Sequence, residues 1–133
     1  MRRVAAALAA LLLGFGSHAA EAPPRVAIVT SDVDRFFALA DDPALAAQPE
    51  QLAARDLADA SPGLIEFMAL RRITPEKLAA ALRDKPQVFQ DARGCAAKLP
   101  NVRARPVAAT DRLAQIYHAA RFPPITVAIG RAP

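Results

Sequence analysis

The segment Phe122-Pro123-Pro124-Ile125-Thr126-Val127-Ala128-Ile129-Gly130-Arg131 constrains this 133-residue chain more than any other, because it reads as a β-strand with very little left to pair it. Two prolines lead it in, β-branched residues fill it, and a glycine permits an exit turn. The larger side chains at 125, 127 and 129 alternate and demand a covered face. A strand with unpaired backbone groups is a template for another chain, and a two-strand ladder is marginal in water. The one internal candidate partner is the short run Val26-Ala27-Ile28-Val29. The pattern therefore predicts a strand that opens a sheet completed outside residues 1–133, with self-association through Ile125, Val127 and Ile129 at the open edge.

At the other end, Arg2 and Arg3 precede an apolar stretch from Val4 to Phe15, and Ser17 and Ala19 supply small residues before Ala20. This is the layout of a secretory leader, too short in its apolar part to span a bilayer, which takes about 20 residues. The expected division is a signal peptide over 1–19 and a mature region over 20–133 that begins at Ala20. The product is expected in the periplasm or outside the cell, without a stable membrane anchor once the leader is removed. Loss of Arg2 and Arg3 turns 17 basic against 13 acidic residues into 15 against 13, so the mature region is nearly neutral. Its length suits one domain.

Between the two strand candidates the sequence predicts helices. Ser31 and Asp34 resemble a capping box, and Val33, Phe36, Phe37 and Ala40 then form one apolar stripe. Asp32 and Asp34 read as helix-start carboxylates rather than metal ligands. Asp41-Asp42-Pro43 ends that helix, and an alanine-rich helix from Gln51 to Ala60 follows. Ser61-Pro62 and Thr74-Pro75 each place a capping side chain before a proline at the first helical position. They open an apolar helix running to Ile73 and another ending near Lys85. Gln87 to Lys98 is a further helix, interrupted at Gly94, and Leu99-Pro100-Asn101 closes it. The last helix is expected from Pro106 to Ala119. The fold class is mainly α: five or six short helices with one or two short strands, as an incomplete part of an α+β domain.

The chemistry-bearing residues are sparse. After the leader, His118 and Cys95 are the only histidine and cysteine. One cysteine excludes an intrachain disulfide, and its alanine neighbours mark Cys95 as a small buried side chain. His118 is expected to bond a free carbonyl near a helix end. The sequence contains no HExxH, no nucleophile elbow around Ser31 or Ser61, and no clustered glycines for a phosphate loop. No catalytic, cofactor-binding or metal-ligating residue is assigned. From Arg93 onward seven basic residues face the single acid Asp111. With Tyr117 and Phe122 as the only stacking partners there, and with export, that stretch reads as no nucleic-acid interface; it reads as a solvated or intramolecular basic face, and meets an acidic partner or anionic envelope surface only if the chain is an interaction module.

Taken together, the exported start, Thr30-Ser31-Asp32-Val33-Asp34-Arg35-Phe36, Ser61-Pro62-Gly63-Leu64 and the closing Phe122 to Arg131 segment resemble the N-terminal region of a family of bacterial secreted proteins described as zinc-dependent peptidases. The likeness spans most of 25–131. In that family the strand is similar and continues into a glycine-rich turn, more strands and an HExxH-like helix; none of those residues is present here. The resemblance implies zinc and a peptide substrate for the full-length family alone. This chain is expected to be its helical N-terminal part without the catalytic motif, the alternative being a non-enzymatic periplasmic interaction module that uses its basic C-terminal third.

Overall fold

In a computed structural model, residues 26–129 are described; the leader, the Ala20 start and Gly130-Arg131 lie outside them. The described residues form β1 (Ile28–Val29), α1 (Ser31–Ala40), α2 (Pro43–Ala46), α3 (Pro49–Ala58), α4 (Pro62–Arg71), α5 (Pro75–Asp84), α6 (Pro86–Ala96), α7 (Leu99–Ile116) and β2 (Ile125–Thr126). The described residues are mainly helical, with one two-stranded sheet. The sheet uses the internal partner that the sequence offers. β1 and β2 run parallel, Ile28 opposite Ile125 and Val29 opposite Thr126. Ile125 N–H donates to the Ala27 carbonyl at 2.8 Å and Val127 N–H to that of Val29 at 2.9 Å.

Proline sets the helix starts. Each of α2 to α7 carries one in its first two positions, where the missing N–H has no intrahelical acceptor to lose. Ser61 and Thr74 cap as expected, their hydroxyls accepting from Leu64 N–H at 3.2 Å and Lys77 N–H at 3.3 Å. Asp42 does the same for α2, accepting from Ala44 N–H at 2.9 Å, so the Asp-Pro pair that ends α1 also starts a helix the sequence reading passed over. At α1 the cap position belongs to Thr30, not Ser31, and its hydroxyl donates to Asp34 at 3.2 Å rather than accepting a backbone N–H.

Two boundaries are corrected. Leu99-Pro100-Asn101 does not close a helix; it opens α7, which continues through Pro106. Proline at the second position starts a helix readily, and the interior one removes a single N–H. Downstream of it the Thr110 hydroxyl donates to the carbonyls of Pro106 and Val107, both at 2.9 Å, a back-bonding that bends helices rather than stopping them. Gly94 likewise interrupts nothing, since α6 runs past it and a side chain there would meet only open space.

The core sits where α1, α3 and α5 meet. Ala53 and Ala79 are 0% and 1% exposed, so α3 and α5 approach over small side chains, with Leu52 beside them. The Glu50–Arg83 ion pair joins the first turn of α3 to the last turn of α5, so the two helices run antiparallel. The alanine-rich helix is thus central, because alanine allows the closest packing. Phe36 contributes the largest buried ring, edge-on to Phe37 at 5.3 Å and stacked on Phe89 of α6 at 5.6 Å. Arg93 docks α6 further, its guanidinium 4.4 Å from the centre of the Phe37 ring and forked onto Asp41 at 2.7 and 3.2 Å. One of the seven basic residues is therefore held within the fold.

Three helices are lightly covered, and of these α6 buries no side chain at all. α4 buries Leu64 and leaves Ile65 and Leu70 at 56% and 80% exposed. α7 buries only Ala114. α4 meets β2 at its start, where Gly63 lies so close to Thr126 that a Cβ would stand 2.0 Å from the Thr126 hydroxyl oxygen and 2.6 Å from its Cβ.

Candidate functional site

The chemistry that the fold concentrates lies around Arg35. Asp32, Val33 and Phe36 form the buried face of α1, and Leu52, Ala53 and Asp56 that of α3, so each stripe carries one carboxylate into the interior. Arg35 stands between them. Its Nε donates to the Asp56 carbonyl at 3.0 Å, Nη1 to the Asp59 carbonyl at 2.8 Å and Nη2 to Asp32 Oδ1 at 2.9 Å. One guanidinium thereby closes the C-terminal end of α3, where the helix dipole favours a cation, and binds α1 to it.

Asp32 corrects the helix-start reading. It is 3% exposed and points away from its own helix end toward α4. Oδ1 accepts Ser61 N–H at 2.9 Å and Oδ2 accepts the Ser61 hydroxyl at 2.5 Å. Ser61 therefore donates to Asp32 while accepting from Leu64, and the α4 cap is itself anchored to α1. Burial pushes the Asp32 carboxyl up, but the two Ser61 donors and then Arg35 outweigh it and hold the group below the usual carboxylate range.

Asp56 is the opposite case. It is 5% exposed, and its Oδ1 is the one buried side-chain nitrogen or oxygen among the described residues without a hydrogen bond. Arg35 Nε lies 3.3 Å from that oxygen but gives its hydrogen to the Asp56 carbonyl. Burial pushes the Asp56 carboxyl up to about 6, with Arg35 pulling it down and the Asp32 charge adding to the rise.

A raised carboxyl binds a proton more tightly folded than unfolded, so Asp56 lends stability at low pH that is lost as pH rises from about 4 through about 6. The loss is of the order of 2–3 kcal/mol. Asp32, being lowered, acts in the other sense and only below its ordinary value of 3.8. Asp56→Asn should therefore gain on wild type by about 2 kcal/mol between pH 4 and pH 7 in urea unfolding. A difference between the two proteins that does not vary with pH would refute this.

Both carboxylates line a cleft of about 610 Å³. Its apolar walls come from α1, α3, α4, α5 and α6, including Phe36, Leu57, Leu64, Phe67, Leu78 and Phe89, with Ile129 at one side. Arg71, Arg72, Lys77, Asp84 and Lys85 add charge. Arg71 lies 5.8 Å from the centre of the Phe67 ring, and Lys77 Nζ donates to the Arg72 carbonyl at 2.9 Å. Arg72 ends α4 at φ 53°, ψ 45°, with Ile73 N–H closing onto the Met68 carbonyl at 2.9 Å. That left-handed cap is ordinarily glycine's, so a strained arginine stands on the cleft wall.

The residues weighed for metal or nucleophile chemistry are scattered. Cys95 is exposed, not buried, because α6 buries none of its side chains. His118 is exposed beyond the end of α7 and makes no hydrogen bond among the described residues. No three His, Cys, Asp or Glu side chains there converge as metal ligands, so these residues do not fit a zinc site. Ser31 is exposed, and Ser61 serves the cap and Asp32. Ile125 is 39% exposed, while Val127 and Ile129 are half-buried. Among the described residues no helix is long and apolar enough to cross a membrane. No protein-family model, curated protein or solved structure matches the chain.

Proposed function

We propose that this chain is the helical, substrate-side part of an exported zinc-peptidase-like protein, holding a peptide in its central cleft and leaving bond cleavage to residues outside 26–129. The cleft carries the reading. At about 610 Å³ it falls within the range of about 300–1,000 Å³ usual for ligand sites. Its walls are mostly apolar with a few convergent charged groups, the make-up of a site that binds by burial and orients by polarity. Arg72 in a left-handed cap on that wall supports it, since strain is commonly retained where a binding surface needs a side chain.

Reduced, alkylated casein labelled with fluorescein tests the proposal by anisotropy. Wild type should bind it and leave its mass unchanged, and Phe67→Glu on the cleft wall should weaken binding about tenfold or more, as a buried charge costs more than 1.4 kcal/mol. Cleavage of casein by the chain alone, or undiminished binding by Phe67→Glu, counts against it. If instead the double variant Arg105→Glu/Arg112→Glu abolishes binding, the exposed basic residues that share one face of α7 are the contact surface and the interaction-module reading takes over. Light scattering on the same samples reads the self-association proposed for Ile125, Val127 and Ile129.

A further inference from the structure

We infer that Asp56 is the receptor for a single lysine side chain of a bound peptide, taken with its ammonium on the carboxylate and its four-carbon stem along the apolar walls of the cleft. This rests on the peptide-cleft reading and deepens it. The cluster of Asp32, Arg35 and Asp56 carries two negative charges and one positive. Asp32 takes three donors, one from Arg35 and two from Ser61. The surplus charge therefore falls on Asp56, whose side chain is only 7% exposed and whose Oδ1 has no hydrogen bond. Oδ1 itself is closed off from solvent beside Arg35, so a cation reaches the carboxylate over the part of the side chain that lines the cleft and there relieves the surplus charge.

Beyond Arg35, no cation among the described residues pairs with Asp56, although Lys77, Arg71, Arg72 and Lys85 line the same cleft. Lys77 is held on the Arg72 carbonyl and Arg71 lies over Phe67. Asp56 lines the cleft together with the apolar Phe36, Leu57, Leu64 and Phe67. An ammonium on an unbranched hydrocarbon stem suits this: the stem covers apolar surface while three rotatable donors meet the carboxylate. The basic residues of the lining repel further positive charge, so the peptide is selected to carry one lysine among neutral neighbours.

The test uses two N-acetylated, fluorescein-labelled pentapeptides of leucine with lysine or norleucine at the centre. Against the full chain at pH 7.5 the lysine peptide should bind about tenfold tighter or more, the scale of one desolvated charge-assisted contact. Asp56→Asn should bring that ratio close to one and leave norleucine binding within about twofold. Lowering the pH through about 6 should shrink the ratio in wild type as Asp56 takes up a proton, an arm that needs no variant to fold. The charged groups around Asp56 in this titration are Asp32 and Arg35 of α1, with Arg71, Arg72, Lys77, Asp84 and Lys85 lining the same cleft. Lys77→Met should preserve the ratio. A wild-type ratio near one with the norleucine peptide bound, or a ratio that survives Asp56→Asn, overturns the lysine site and leaves the peptide cleft standing. Failure of both peptides to bind overturns both.

Discussion

Arg35→Met loses most of its folding stability at neutral pH. The substitution keeps the unbranched stem of the side chain and removes the guanidinium with its charge, so Asp32 and Asp56, at 3% and 5% exposure, remain buried without their shared cation. The two carbonyls at the end of α3 lose their donors at the same time. Removing one partner of a buried ion pair costs about 3–5 kcal/mol. Small domains hold about 5–15 kcal/mol in all, so the variant sits near the edge of folding. The defect is electrostatic at root and has a distinctive cure: lowering the pH protonates Asp56 first, and adding Asp56→Asn removes the surplus charge, so either should recover part of the loss. Urea unfolding of the single and double variants at pH 5 and pH 7.5 decides it. A single variant as stable as wild type at pH 7.5 would mean that water reaches the cluster and that Arg35 does not hold it together.

Gly63→Ala releases β2. The added carbon would lie 2.0 Å from the Thr126 hydroxyl oxygen and 2.6 Å from its Cβ. Neither atom is the end of a long side chain that can swing away, so strand or helix start must move. Overpacking of this kind costs about 1–3 kcal/mol. The movement falls on β2 because Ser61 fixes the helix start to Asp32 through two hydrogen bonds. Hydrogen exchange should show the Ile125 and Val127 amides losing protection while those of α3 and α5 keep theirs. The rescue is specific. Thr126→Ala leaves the Cβ in place and should help little, whereas Thr126→Gly removes the obstacle and should restore protection. Full protection in Gly63→Ala would show that α4 can slide without cost.

Much of this fold was legible in the sequence, for reasons that differ by element. The starts at Ser61-Pro62 and Thr74-Pro75 could be read because cap and proline act on their immediate neighbours, and both occur where expected. The Val26–Val29 run could be named as the one internal candidate for the Ile125 strand, but its pairing was not expected, because a two-strand ladder is marginal alone and only its packing on α4 shows why it forms. α7 was misjudged because a proline says only that one N–H is missing, and the remaining bonds decide whether the helix goes on. The site was less legible still. Asp32 looked like a helix-start carboxylate because its partner, Ser61, is 29 positions away. Asp56 carried a local sign that was passed over: it shares a stripe with Leu52 and Ala53, and a charge on the apolar face of a helix is an anomaly that demands a partner. Which partner answers it depends on how two helices pack, and spacing along the chain does not contain that. Cys95 failed in the other sense, since its alanine neighbours suggest burial but α6 has nothing over that face.

The parallel pairing of β1 with β2 also sets an order in time. Ile28 and Ile125 are 97 positions apart, with all seven helices of the described region between them. Closing so long a loop costs entropy that only contacts already made in between can offset, so the helices assemble first and the ladder closes last. A ribosome adding about 5–20 residues per second leaves β1 waiting roughly 5–20 s for its partner to be made. During that interval Val26, Ile28 and Val29 are an unpaired apolar strand at the front of a chain whose helices are already forming. The Asp32–Ser61 tie requires only the first half of the sequence, so α1 and α4 can be joined while β1 still waits. Nascent chain is thus most vulnerable to aggregation at its earliest strand and over most of its synthesis, and a holding chaperone would find its target at β1.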